Sequence, residues 1–150
     1  MPQVHSRRVT IGEIVDTRKR VFNTLPEGIL HFAGDESSRT WHFGAFLSPI
    51  SCVPVCCMSC MFVPFMQRVG WQVRGMATEP HWQGRGVGAQ LLTWAMRELV
   101  TKEYVRFFWC NAQVPAIGFY EKQGWEVVSE DFDISPAGLH RKMKYIYRAV

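Results

Sequence analysis

The segment Gln83–Gly88 most constrains how this chain can fold, because it alternates three glycines and leads into a 14-residue amphipathic run, Val87–Val100. Glycine has no side chain to hold a ligand away and tolerates positive φ angles, so such a loop can turn its N–H groups toward an anion. The first N–H groups of the following helix lack intrahelical partners, and the helix dipole adds partial positive charge there. The segment therefore predicts a phosphate-binding loop at a helix N-terminus.

The common nucleotide patterns fit this loop poorly. A P-loop for ATP or GTP needs Gly-Lys followed by Ser or Thr, but Gly86 is followed by Val87. The dinucleotide pattern G-x-G-x-x-A does fit Gly84, Gly86 and Ala89. It also requires an acidic residue at the end of the next strand, and the predicted strand Arg106–Cys110 ends without one. The context therefore argues against NAD as well.

A third pattern, Q/R-x-x-G-x-G/A, fits at Gln83, Gly86 and Gly88. With it the chain resembles the GNAT superfamily of N-acetyltransferases, in which this loop holds the pyrophosphate of acetyl-coenzyme A. A second segment is similar to the N-A…A-x-x-F-Y-x-K-x-G-F pattern of the same family, with Trp in place of the last Phe. Its residues are Asn111, Ala112, Ala116, Phe119, Tyr120, Lys122, Gly124 and Trp125. The likeness covers roughly residues 74–128.

The resemblance implies an α/β (α+β) fold: a mixed, mostly antiparallel central sheet of about six to seven strands with helices on both faces. In the family, the fourth and fifth strands splay apart and acetyl-coenzyme A lies in the gap. Backbone groups at the end of the fourth strand meet the pantetheine arm, and the loop N–H groups hold the phosphates. Carried over to this sequence, the cofactor-binding residues are Met76, Ala77, Thr78, Gln83, Gly84, Arg85, Gly86, Val87, Gly88, Ala89 and Asn111.

The expected activity is transfer of the acetyl group to a primary amine, with a small-molecule acceptor favoured over a protein lysine. The departing sulfur needs a proton, and Tyr120 suits this role because a tyrosine with a pKa of about 10 stays protonated at neutral pH. Tyr120 is therefore the predicted general acid. A non-catalytic acyl-coenzyme A binding or sensing module is the alternative. Phe119 and Tyr120 could also be simple core aromatics.

The sequence leaves the general base open. Neither motif makes a base obligatory, and ordered water could serve as well as a side chain. Histidine titrates near neutrality, which favours the imidazoles on chemistry alone. The candidates are Glu79, His81, His42, His140, Asp35 and Glu36.

Periodicity and turn signals predict the remaining elements. A first helix is expected over Ile11–Phe22, with Thr10 as its N-cap, and a short helix between Pro115 and Gly124. The final two strands are expected to pair antiparallel. The predicted strands are Thr40–Leu47, Cys52–Phe62, Trp71–Thr78, Arg106–Cys110, Glu126–Ile134 and Arg141–Tyr147.

Length and composition predict one domain over residues 1–150, and the net charge of +4 suits an acidic ligand without indicating nucleic-acid binding. Five cysteines and no signal peptide favour the cytoplasm. The spacing of Cys52, Cys56, Cys57 and Cys60 fits zinc poorly, so no metal is expected. The uncharged stretch Trp41–Gln67 contains three prolines and predicts buried strands rather than a membrane span; an exposed part of it could serve a homodimer.

Overall fold

The computed structural model describes residues 1–26 and 30–148. Within them the chain forms eight strands in one sheet, in the order β1-β2-β3-β4-β5-β8-β6, with β7 pairing to β8. Only β4 and β5 run parallel; the other pairs are antiparallel. The strands are β1 His5–Val9, β2 Trp41–Phe46, β3 Cys56–Phe62, β4 Trp71–Thr78, β5 Phe107–Gln113, β6 Glu126–Val127, β7 Phe132–Ile134 and β8 Gly138–Ile146.

The mixed, mostly antiparallel sheet is confirmed, but its strand count exceeds the predicted six to seven for two reasons. The strand β1 was not predicted, because only Val9 of its five residues is buried. Its guanidinium groups instead cover aromatic rings of β2: Arg7 lies 3.9 Å from the ring centre of Phe46 and Arg8 lies 3.7 Å from that of Trp41. The predicted strand Glu126–Ile134 is also wrong as a single element, because residues 128–131 separate β6 from β7.

Three predicted strands have shifted bounds. The strand β3 begins at Cys56 rather than at Cys52, since Pro54 lacks an N–H for a sheet ladder and the residues before it form turns. The strand β5 extends beyond Cys110 because β8 continues to pair with it. The strand β8 itself starts at Gly138, where it pairs with β7.

The predicted first helix is divided into two pieces. A 3-10 turn covers Ile11–Glu13, and α1 covers only Val15–Val21. Glu13 turns back on the chain and accepts a hydrogen bond from the backbone N–H of Thr10 at 3.0 Å. Thr10 therefore precedes the 3-10 turn and does not cap the α-helix. The hydrogen bond from its backbone N–H to the Glu13 carboxylate stabilises this first turn.

The second helix, α2, spans Val87–Glu103, three residues longer than predicted, and α3 spans Ile117–Lys122. The large apolar core joins α2 and α3 to one face of the sheet, through buried residues such as Leu91, Leu92 and Ile117. A smaller cluster around Ile14 packs α1 on the opposite face. Helices therefore lie on both faces, as predicted.

The stretch Trp41–Gln67 forms β2, β3 and their connections, in agreement with the expectation of buried strands. No helix in the described part of the chain combines the length and the apolarity that crossing a membrane requires.

Candidate active site at an opening in the sheet

The parallel pair β4 and β5 separates partway along its length. Pairing comprises Trp71 with Phe108, Gln72 with Trp109 and Val73 with Cys110, and then ends. Beyond this level β4 stays paired with β3 up to Thr78, and β5 stays paired with β8 up to Gln113. The two strands therefore diverge, and the edge of β4 over residues 74–78 faces an opening instead of a neighbouring strand.

A bulge in β4 lies at the level where the opening begins. The β3 residues Cys57 and Ser59 pair with Ala77 and Arg74, so β4 carries one more residue than β3 across this interval. Gly75 supplies the backbone conformation, with φ of +62°, and a β-carbon added to it would lie only 2.7 Å from the Phe32 ring. Bulges bend the strand that carries them. The local geometry thus explains why β4 turns away from β5 here.

The glycine-rich loop follows β4 directly. A 3-10 turn, Pro80–Trp82, leads into it, and the side-chain amide of Gln83 donates to the carbonyl oxygen of Thr78 at 2.9 Å. Gly84 and Gly86 have φ angles of +72° and +81°, as left-handed turns require. Space beside Gly84 is open, since a β-carbon there would meet no atom within 4 Å. The loop is therefore open beside Gly84, whereas Met1 lies against Gly86, where an added β-carbon would be 2.5 Å from the Met1 sulfur.

Gly86 occupies the N-cap position of α2, and no side chain caps the helix there. The first N–H groups of α2 are consequently available to an anion. A cavity of about 470 Å³ adjoins the loop and is lined by Gly84, Arg85 and Gly86 together with Met1 and Pro2. The Arg85 guanidinium lies 5.0 Å from the ring centre of Trp82, so this cation remains beside the loop.

Gly88 joins the loop to the other two elements of the site. A β-carbon on Gly88 would lie 3.4 Å from the terminal methyl of Met76 in β4 and 3.5 Å from ring carbons of Phe119 in α3. The first turn of α2, the end of β4 and the helix α3 therefore meet at this one glycine. The two sequence motifs, far apart along the chain, are neighbours in the fold.

Tyr120 follows Phe119 in α3 and lies in the core, 5% exposed. Its ring packs 5.1 Å from that of Trp125. Burial, with smaller contributions from the nearby thiols of Cys110, Cys60 and Cys56, raises the pKa of Tyr120 well above its ordinary value. The phenol is accordingly protonated at neutral pH.

Asn111 lies on β5, one residue beyond the last pair with β4. Its side-chain oxygen accepts a hydrogen bond of 2.9 Å from the ammonium of Lys142 on β8. Asn111 and Lys142 are direct partners in the register of the two strands. The amide is thus fixed at the level of the opening.

The structure separates the candidate bases. Glu79 and His81 lie just after β4, where Glu79 forms an ion pair of 2.6 Å with Arg20 of α1 and His81 is exposed. His42 is buried, and burial lowers its pKa. His140 is also buried, with Nδ1 2.7 Å from the carbonyl oxygen of Gly138.

Sequence reasoning missed a buried polar network on the α1 face. Arg18, with no exposed surface, donates to both carboxylate oxygens of Asp35 at 2.7 and 3.2 Å and to the Ser59 hydroxyl at 2.9 Å. His42 completes the network, with Nδ1 2.6 Å from the Ser59 hydroxyl and Nε2 3.0 Å from the Asp35 carbonyl oxygen. The available signal was Arg18 itself, an arginine at an apolar position of the first helix. Asp35 is thereby committed to this network, while Glu36 beside it is exposed.

The cysteines of β3 divide between the two sides of the sheet. Cys56 and Cys60 belong to the core under α2, whereas Cys57 belongs to the cluster under α1. Burial raises the pKa of Cys56 to about 11, so its thiol stays protonated at neutral pH. In residues 1–26 and 30–148, no three His, Cys, Asp or Glu side chains are grouped closely enough to hold a metal ion.

Comparison with known proteins identifies the family. The profile of the acetyltransferase (GNAT) domain matches residues 52–127, which include β3, β4, the glycine-rich loop, α2 and α3. This chain belongs to the GNAT acetyltransferase family. The expected family membership and the expected fold are therefore both confirmed.

Individual relatives agree with this assignment. The chain is 29% identical over 107 residues to YitI of Bacillus subtilis (strain 168), described as an uncharacterized N-acetyltransferase; the match covers 71% of this chain and 70% of YitI. The crystal structure of Escherichia coli ElaA superposes with a TM-score of 0.76 at 14% identity, over 95% of this chain and 99% of ElaA. An aminoglycoside 6'-N-acetyltransferase complexed with coenzyme A gives 0.70 at 12% identity, over 97% and 99% of the two chains. These two structures share the fold.

Proposed function

We propose that this protein transfers the acetyl group of acetyl-coenzyme A to a primary amine of a small molecule. The observation that carries the proposal is the end of pairing between β4 and β5 at Val73 and Cys110, beside an open glycine-rich loop. This opening offers an extended ligand a free strand edge next to unpaired helix N–H groups. The coenzyme A complex of a structural neighbour supports the choice of ligand.

The ligand fits the shape and the charge of the site. Backbone groups of Met76, Ala77 and Thr78 run along the pantetheine arm as a neighbouring strand would. Asn111 bounds the opening from β5. The N–H groups of the loop and of the first turn of α2 hold the diphosphate, and Arg85 adds charge beside it. The loop residues are Gln83, Gly84, Arg85, Gly86, Val87, Gly88 and Ala89.

The reaction is a direct attack of the neutral amine on the thioester carbonyl carbon. A C–N bond forms and the C–S bond breaks, which yields the acetamide and coenzyme A. The amine loses one proton, and Tyr120 gives one to the departing thiolate and is reprotonated from solvent, so the protons balance. The raised pKa of Tyr120 keeps the phenol protonated at neutral pH, so the proton is present when the thiolate departs.

The amine proton passes to water or to a base at the end of β4. Glu79 is the candidate carboxylate there, and it forms an ion pair with Arg20. His81 is the candidate imidazole at the same end, while His42 and His140 are buried within hydrogen bonds of their own. A base acting through water needs no direct contact with the acceptor.

The alternative is a module that binds an acyl-coenzyme A without turnover. The deep burial of Tyr120 among core aromatics favours this alternative, because a purely structural tyrosine would be buried in the same way. The two functions share the loop and the opening. They differ only in whether the phenol reaches the departing sulfur.

The deciding experiment measures thiol release from acetyl-coenzyme A with a panel of primary amines, for the wild type and for Tyr120→Phe. Loss of the general acid should lower kcat by about 10²-fold to 10⁴-fold while the affinity for acetyl-coenzyme A, measured by calorimetry, stays close to that of the wild type. Tyr147→Phe removes a hydroxyl from another buried tyrosine, 7% exposed, and is the matched control.

Unchanged kcat in Tyr120→Phe would remove this residue from the mechanism. Binding of acetyl-coenzyme A without thiol release for any amine would favour the non-catalytic module. Failure of the wild type to bind acetyl-coenzyme A would contradict both functions.

A further inference from the structure

The ammonium of Lys142 lies among three aromatic rings on the sheet face opposite α2. It lies 5.0 to 5.5 Å from the ring centres of Phe132, Trp109 and Phe65. Asn111, at the opening, accepts one of its hydrogen bonds. The three rings lie around the ammonium and restrict its position, which the side chain alone would leave free to move.

The aromatic surroundings of Lys142 are themselves rigid. Trp109 donates its indole N–H to the carbonyl oxygen of Val63 at 2.8 Å, which ties β5 to the loop between β3 and β4. The ring of Phe65, from that loop, stacks on Trp109 with centres 4.7 Å apart. These contacts hold the rings of Trp109 and Phe65 in place, and the ammonium beside them is therefore fixed at the level where the sheet opens.

Within the part of the chain that the structure describes, Lys142 differs from Arg141 and Lys144 of β8 in having no acidic partner. Arg141 pairs with Asp131, and Lys144 pairs with Glu126 at 3.4 Å. Lys142, between them, forms no ion pair with any carboxylate of residues 1–26 and 30–148. A half-buried ammonium gains most from an anion, because nearby rings and strands remove part of its water.

A second unpaired cation lies across the opening. Val73 and Cys110 are the last partners of β4 and β5, so Arg74 and Asn111 are the first residues of the separated strands, and Lys142 is the partner of Asn111. Because β4 and β5 have parted here, Arg74 and Lys142 are separated at the backbone by more than two paired-strand spacings, that is by more than about 10 Å. Arg74 donates to the Ala33 carbonyl oxygen and to the Met61 sulfur, and it has no ion-pair partner in the described chain.

The carboxylate that acts electrostatically on Arg74 already forms hydrogen bonds with another arginine. Asp35 acts electrostatically on Arg74, but both of its carboxylate oxygens accept hydrogen bonds from the buried Arg18. On the face of the opening away from α2, Arg74 and Lys142 therefore both lack an ion-pair partner among the described residues. An acceptor that approaches from this face meets two cations before it reaches the gap between the strands.

We propose that the acceptor amine bears a carboxylate, that Lys142 binds this carboxylate, and that Arg74 adds a second positive charge across the opening. This inference rests on the proposed acetyl transfer and names the class of its acceptor: small amines of the amino-acid type. Lys142 is in this reading a residue that determines substrate specificity.

The experiment compares free amino acids with their carboxamides, using leucine, phenylalanine, glutamine and lysine. Each pair keeps the amine and the side chain and differs in the charge of one group. The carboxamide has the more readily deprotonated amine, so a preference for the carboxylate cannot arise from nucleophile availability. Thiol release gives kcat and KM, and calorimetry in the presence of coenzyme A gives binding without turnover.

Lys142→Gln should lower kcat/KM for the preferred amino acid by about 10-fold to 100-fold, mainly through KM, and leave its carboxamide unchanged. Arg74→Gln should have a smaller effect in the same direction, about 2-fold to 5-fold. Lys142→Arg should retain the preference. Lys144→Gln, which removes a paired cation two residues away, is the matched control and should leave both substrates unchanged.

An enzyme that acetylates amines with no preference for the carboxylate form overturns this inference and leaves the proposed function intact. Equal losses for both members of a pair in Lys142→Gln also overturn it, because they indicate a structural role. Amino-acid binding that depends on Lys142, without turnover, supports the anion site and contradicts the transferase. A panel in which no carboxylate compound is bound or used better than its carboxamide rules the site out.

Discussion

The two faces of the central sheet are built from different kinds of sequence. The candidate cofactor site at the start of α2 comes from three short segments, residues 76–78, 83–89 and 111–125, each continuous along the chain. On the opposite face, the buried network joins Arg18, Asp35, His42 and Ser59. The aromatic rings around the Lys142 ammonium come from a further loop and from other strands. Contiguous motifs thus serve one face, and dispersed residues serve the other.

Under the proposed function, the difference follows from what each site would recognise. Main-chain N–H groups and a strand edge bind a phosphate and an amide arm, and such groups need only glycines and a helix start in the right order. An acceptor of particular chemistry needs side chains brought together from several elements. The α2 face is therefore expected to tolerate changes of charged side chains, and the α1 face to depend on them.

The most severe test of this contrast is Asp35→Ala. The variant leaves Arg18 without its counter-ion at a site with no exposed surface, and the free energy of unfolding should fall by about 3 to 5 kcal/mol. Chemical denaturation followed by tryptophan fluorescence measures it. The exposed neighbour Glu36, changed to Ala, is the control. A similar small loss in both variants would show that the network contributes little to the fold.

The pH dependence of stability sharpens the comparison further. Burial is the largest cause that lowers the pKa of His42, so the folded chain keeps this imidazole neutral where the unfolded chain, with a pKa near 6.5, takes up protons. The contribution of neutral His42 to the free energy of unfolding is complete above about pH 6.5 and is lost as the pH falls through the pKa of the folded state. His42→Gln should flatten the decline in unfolding free energy below about pH 6.5.

His81→Gln, on the exposed turn after β4, is the control for this titration. Asp35 acts in a separate window, because the bonds from Arg18 and from the Phe32 N–H lower its net pKa despite its burial. The contribution of the Asp35 carboxylate to the free energy of unfolding is complete above about pH 3.9 and is lost as the pH falls further. An unchanged slope near neutrality in His42→Gln would contradict the assignment of that slope to the network.

The smallest effect is expected on the α2 face. Arg85 is exposed and lies over Trp82, so Arg85→Gln should raise the KM for acetyl-coenzyme A by only about 2-fold to 5-fold and leave kcat and stability unchanged. Arg97→Gln, at an exposed position of α2 in its third turn, is the control. A loss of more than tenfold would mean that the side chain, and not the backbone, dominates diphosphate binding.

Local signals were sufficient where structure depends on neighbours in sequence. The glycines and the amphipathic run predicted α2 to within three residues, the uncharged stretch from Trp41 predicted β2 as a buried strand, and Pro80 marked the end of β4. The strand β1 could not be recognised, because arginines over the rings of Phe46 and Trp41 replace the usual apolar alternation. The division of the first helix depends on a bond between Thr10 and Glu13 that helical periodicity does not register.

The sequence by itself determined the family, the type of sheet and the location of the glycine-rich loop, because these follow from the order of glycines, helix starts and apolar residues along the chain. The tertiary structure decided where β4 and β5 part, that Phe119 and Met76 meet at Gly88, and that Lys142 has no acidic partner among residues 1–26 and 30–148. Strand register sets these relations between residues far apart in the chain, and a shift of one residue in the pairing would send each side chain to the other face.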